Sequence, residues 1–165
     1  MKKLLLIALA VLMLSGCTSQ PVFETVDDLP VSGESAQAKE IILSLPKEAS
    51  IPTLEGEDGA CLYDCGDYIL TTHIFSGGDL DGTLQQLTGF PGANLSHMKT
   101  KQQNLDRYDC VWTAAGENGE EVGRAVVLDD GVYHYAVSVL ADAKAAGELL
   151  EQWKTVLKSV KLSTD

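Results

Sequence analysis

The chain has few basic residues for its acids: 12 Lys and Arg stand against 24 Asp and Glu, for a net charge of −12. Such a field repels phosphate backbones and anionic headgroups, which argues against nucleic-acid binding. It also lacks a membrane-spanning run. The longest apolar stretch, Leu4 to Leu14, is about 11 residues against the ~20 a spanning helix needs. Aromatics make up only 6% of the residues. Motifs are missing too, with no Gly-x-Ser-x-Gly, phosphate loop or dinucleotide fingerprint. His73, His97 and His134 show neither His-x-x-x-His nor His-x-His spacing, so no metal site is assigned.

What is present begins with Lys2 and Lys3, the apolar stretch, and Leu14-Ser15-Gly16-Cys17. Together these form a charged n-region, an h-region and a small-residue cleavage site. Leu-Ser-Gly-Cys resembles the lipobox of bacterial lipoproteins, which implies cleavage before Cys17 and a diacylglyceryl group on its sulfur. The expectation is a signal peptide at 1–16 and a partner in membrane lipid on the extracytoplasmic face. Each buried methylene contributes ~0.8 kcal/mol, and two chains give stable anchoring. Loss of Lys2 and Lys3 takes the net charge two lower, from −12 to −14.

Residues 17–38 are rich in Ser, Thr, Pro, Gly and acid, with Phe23 and Val26 among scattered apolar positions. They read as a tether with a root-mean-square span of roughly 25 Å. Residues 39–162 then form a single domain of ordinary size. Its pattern predicts an antiparallel meander over about 107–140, with turns at Asn118-Gly119 and Asp130-Gly131, pairs that tolerate positive φ. Both faces of the meander are apolar, so both need covering layers. Two helices are candidates. One runs over about 79–88 with Gly89 as its stop, and the other follows Asp142 and carries Leu149, Trp153 and Leu157 on one face. Earlier strands are expected at Ile41 to Leu45 and Tyr68 to Phe75. The fold class is α+β.

This element order, with Leu43-Ser44-Leu45-Pro46-Lys47-Glu48-Ala49 early and Leu157-Lys158-Ser159-Val160-Lys161-Leu162 closing the last helix, resembles the PsbP-like family of α/β/α sandwich proteins. The resemblance implies an accessory or binding role, and no functional residue carries over.

Cys61, Cys65 and Cys110 remain for disulfide pairing after lipidation, an odd number in an oxidising compartment. Cys61 with Cys65 requires a turn between them; a cross-strand bond from either to Cys110 is the alternative. His134 and His73 are read as imidazoles satisfied beside the sheet. Asp79 or Asp81 reads as the cap of the helix that follows, since Phe90 stands where a calcium loop needs Glu. Glu117, Glu120, Glu121, Asp129 and Asp130 fall at hairpin tips as solvated charge. Trp112, Trp153 and the five tyrosines are assigned to the core.

No catalytic residue and no cofactor is assigned. The reading is a membrane-anchored extracytoplasmic lipoprotein acting as a binding or accessory module, with an envelope protein as a further partner. An envelope hydrolase built from scattered acids, or a small-ligand or metal-binding lipoprotein, are the alternatives.

Overall fold

The computed structural model describes residues 23–26, 38–50, 53–55 and 60–164. In chain order the elements are β1 (Phe23–Val26), β2 (Ile41–Pro46), β3 (Thr53–Glu55), β4 (Ala60–Asp64), β5 (Ile69–Ser76) and α1 (Leu80–Thr88). A 3-10 turn at Gly92–Asn94 follows, then β6 (Ser96–Gln102), β7 (Leu105–Gly116), β8 (Gly119–Asp129), β9 (Tyr133–Asp142), α2 (Ala143–Ser159) and β10 (Lys161–Leu162).

Alternation along β8 and β9 determines the layers. Val126, Leu128, Tyr135, Val137 and Val139 point to one side, where they pack with Leu149, Trp153 and Val156 of α2 and with Ile41, Leu43 and Leu45 of β2. Ala125, Val127 and Ala136 point to the other, against Leu84 of α1, Phe75 and Trp112. Burial of these side chains contributes ~1.5–3 kcal/mol for each large one and holds both layers on the sheet. The result is a seven-stranded sheet ordered β3-β4-β5-β9-β8-β7-β6, antiparallel throughout. A second sheet, β1-β2-β10, lies on the α2 side. This is the expected α+β sandwich with a helix on each face.

Local signals account for most ends. The Asp79 carboxylate accepts the N–H of Asp81 at 3.1 Å, and Gly89 closes α1 with φ 80°, where a glycine carries no Cβ penalty. Asp142 precedes α2 as anticipated but makes no side-chain cap bond. At the second predicted turn Gly131 has φ 87°, and the Asp130 carboxylate accepts the N–H groups of Val132 at 2.9 Å and Tyr133 at 2.8 Å.

Three features differ from the expectation. The meander has an additional strand, β6, joined to β7 by Gln103 and Asn104, both left-handed at φ 51° and 65°. The first predicted turn is shifted by one residue, with Glu117 and Asn118 between the paired Gly116 and Gly119. Within the stretch read as tether, Phe23–Val26 pairs antiparallel with β2, Phe23 opposite Pro46 and Val26 opposite Leu43. Phe23 packs on the core from there, and four alternating residues are too few to announce a strand. Cys17, the signal region and the remainder of 17–37 lie outside the described residues. Among the described residues no helix is long and apolar enough to cross a membrane.

Candidate functional site

α2 packs on β2, β8 and β9. Strands β6 and β7 extend the sheet past it, and their α2-side face is left open as a cleft against the last turns of the helix. Two adjoining hollows of about 370 and 430 Å³ make up this cleft and share Met98, Asp109, Arg124 and Leu157. Register explains the gathering: Met98 lies opposite Asp109 in β6–β7, while Arg124 in β8 lies opposite Val111.

Lys101, Arg107, Arg124, Lys154 and Lys158 all line the second hollow, with Asp109 as its one carboxylate. Asp106 pairs with Lys101 at 2.5 Å and Glu151 with Lys154 at 3.2 Å, so Arg124 and Lys158 are the lining cations that no carboxylate meets among the described residues, in a chain with twice as many acids as bases. The two arginines do different things. Arg107 is fully engaged: Nε and Nη2 donate to the two Asp109 carboxylate oxygens at 2.8 and 2.7 Å, Nη1 donates to Gln102, and Nη2 also reaches the Leu157 carbonyl at 3.2 Å. Gln102 in turn donates to the Val160 carbonyl. These contacts satisfy carbonyls that the end of α2 leaves without intrahelical partners, and they place positive charge at its negative pole. Arg124 has no hydrogen-bond or ion-pair partner among the described residues, and its Nε is sealed from solvent and unsatisfied. Beside it Met98 and Val111 are 61% and 44% exposed, so the floor is apolar and the rim cationic.

Of the cysteines expected to pair, Cys61 and Cys110 are buried and Cys65 is half-buried. Cys61 in β4 and Cys110 in β7 are four strand spacings apart, roughly 19 Å against a Cα limit near 7 Å. They also face opposite cores. Cys61 and Cys65 are held apart by the extended end of β4, which rises roughly 10 Å over three residue steps. Burial pushes the Cys65 and Cys110 thiols up to about 11 and raises that of Cys61, so these are poor nucleophiles at neutral pH.

His134 is a buried imidazole, with Nδ1 2.7 Å from the Thr83 hydroxyl and Nε2 3.7 Å from the Asp129 carboxylate. His73 stacks on Phe75, and His97 lies edge-on to Tyr108. Trp112, Trp153, Tyr63, Tyr68, Tyr108 and Tyr135 are buried in the two cores. Asp130 is more than solvated charge: besides its two backbone bonds it accepts the Tyr135 hydroxyl at 2.9 Å. Burial alone would raise its carboxyl, but these three donors together outweigh burial and hold it below the ordinary carboxylate range. The cleft itself was not visible in the sequence. The one local signal for it is Arg107-x-Asp109, two opposite charges at the spacing that puts them on the same face of a strand.

No protein-family model matches the chain, and no curated protein does either. Solved structures do. The cyanobacterial PsbP (CyanoP) of Synechocystis sp. PCC 6803 is 11% identical with TM-score 0.59, over 90% of this chain and 96% of that one. The Saccharomyces cerevisiae Ran-binding protein Mog1p is 9% identical with TM-score 0.53, over 87% and 96%. A structure from Bacteroides thetaiotaomicron VPI-5482 is 13% identical with TM-score 0.51 over 76% of this chain, which spans about half that chain's length, 46%. At these identities the likeness is one of architecture, and it is to a PsbP-like fold.

Proposed function

We propose that the chain is a lipid-anchored, extracytoplasmic binding module, moored through Cys17, whose cleft beside α2 receives an envelope protein. The observation that carries this reading is Arg124, a guanidinium with no hydrogen-bond or ion-pair partner among the described residues, in a cationic and partly apolar cleft. A charge left unpaired in a partly buried place is costly unless something else supplies the counter-charge, and a bound partner does.

The same cleft offers little to catalysis. Its carboxylate, Asp109, is occupied by Arg107, and the Cys110 side chain next to it in β7 faces the other core, where burial pushes its thiol up to about 11. General acid–base chemistry requires groups poised near the working pH and within reach of a substrate. One protein of this fold, yeast Mog1p, is Ran-binding, so the architecture is compatible with protein recognition.

A photo-crosslinking residue at Met98 in intact cells, with Cys17→Ala as the mislocalised control, tests the proposal. A specific envelope protein captured only by the anchored form is expected. Recovery of no specific protein, together with turnover of an envelope substrate, would overturn it. For the anchor, the mass of the mature N-terminal peptide decides: acylated Cys17 is expected, and an unmodified cysteine refutes it.

A further inference from the structure

We infer that the occupant of the cleft is an acidic, extended peptide segment of the partner, which sets one carboxylate on Arg124 and lays a neighbouring apolar side chain on Met98 and Val111. This rests on the binding reading above and names the chemistry that the cleft selects.

Three observations carry it. The first is charge: Arg124 and Lys158 line the second hollow without a carboxylate partner among the described residues, beside Lys154, which is paired with Glu151, in a chain whose net charge is −12, so the cleft attracts acid while the rest of the surface repels it. The second is the Arg124 guanidinium, without a partner among the described residues, whose planar fork of donors suits a carboxylate held by two parallel bonds. The third is the exposed Met98 and Val111 beside it, which give apolar surface to a side chain next to that carboxylate. Methionine adapts to varied apolar partners.

The other anionic classes fit less well. A polyphosphate chain is repelled by the remaining surface. A single acyl chain requires an enclosed apolar channel, whereas this cleft is an open groove with Arg107, Arg124, Lys154 and Lys158 in its lining. Acid alternating with an apolar residue, as an extended peptide presents, meets both features at once.

The test uses the full acylated chain in zwitterionic nanodiscs and fluorescence anisotropy of a labelled hexapeptide of alternating Glu and Leu. The Lys and Leu counterpart and octyl phosphate serve as comparison probes. The acidic peptide is expected to bind, to weaken as salt rises, and to lose roughly tenfold to a hundredfold in affinity in Arg124→Gln. Met98→Glu, at an exposed position that spares the fold, is expected to weaken it as well, and the lysine peptide not to bind. Equal binding of the lysine peptide, indifference to Arg124→Gln, or binding of octyl phosphate without the peptide would overturn the inference. The two levels separate in cells. A protein crosslinked at Met98 whose capture survives Arg124→Gln refutes the acidic segment and leaves the binding module standing. Peptide binding in vitro with no envelope protein captured refutes the functional reading and leaves the cleft chemistry standing.

Discussion

Gly123 of β8 lies opposite Trp112 of β7, and the indole ring fills the space that a Cβ at residue 123 would occupy. The ring atoms Cζ2 and Cε2 come inside van der Waals contact of that position. Glycine is therefore required by packing rather than by backbone freedom, and the exposed peptide is covered by the aromatic ring. Gly123→Ala is expected to drive Trp112 out of its buried place and to cost about 1–3 kcal/mol in urea unfolding, with tryptophan emission shifted to the red. An unchanged midpoint and spectrum would refute the close packing.

Thr83 and His134 join α1 to β9 through their 2.7 Å contact, and both side chains are buried. Thr83→Val keeps the shape but leaves the imidazole Nδ1 unpaired, at a cost of about 1–3 kcal/mol. Thr83→Ser restores the hydroxyl and is expected to recover most of that loss. Equal midpoints for the Val and Ser variants would show that the bond contributes nothing.

Where apolar alternation was strong, the sequence was enough. Val126, Val137 and Val139 against Ala125, Val127 and Ala136 assign two buried faces, and Asp79 with Gly89 bounds α1. Strand β6 escaped because Ser96-His97-Met98-Lys99-Thr100-Lys101-Gln102 is almost wholly exposed, so no burial pattern is written into it. Its turn was hidden as well, since Gln103-Asn104 takes the two left-handed conformations without a glycine. The cleft was illegible for a different reason. Arg107, Arg124 and Lys154 come from two strands and a helix, and only the register between strands brings them together. Of the pairings left open among Cys61, Cys65 and Cys110, the strand order sets Cys61 and Cys110 four strands apart, a separation that spacing along the sequence does not carry.

Asp130 links stability to acid. Its carboxylate takes the N–H groups of Val132 and Tyr133 and the Tyr135 hydroxyl, so its folded pKa lies below the unfolded value. The stabilisation is fully present above the unfolded pKa of about 3.9 and is lost as the pH falls through the folded value. Asp130→Asn is expected to lower the urea midpoint at pH 7 and to flatten its dependence below about pH 4. A variant that keeps the full wild-type acid dependence would show that the carboxylate's ionisation is not involved.

The two arginines of the cleft make opposite predictions about folding, and this separates support from recognition. Arg107 is held by Asp109 and binds the Leu157 carbonyl, with only 12% of its side chain exposed. Arg107→Met leaves Asp109 without its cation and the Leu157 carbonyl without this donor, at a cost of roughly 2–3 kcal/mol. Arg124 makes no such bond among the described residues, and its Nε is desolvated without return. Replacing it by Gln removes that desolvated group, so the midpoint is expected to stay within about 0.5 kcal/mol of wild type or to rise. Parallel urea titrations of Arg107→Met and Arg124→Gln decide the matter. A loss at Arg124 as large as that at Arg107 would mean that its guanidinium works for the fold, and a cation that the fold leaves idle is what a partner's carboxylate requires.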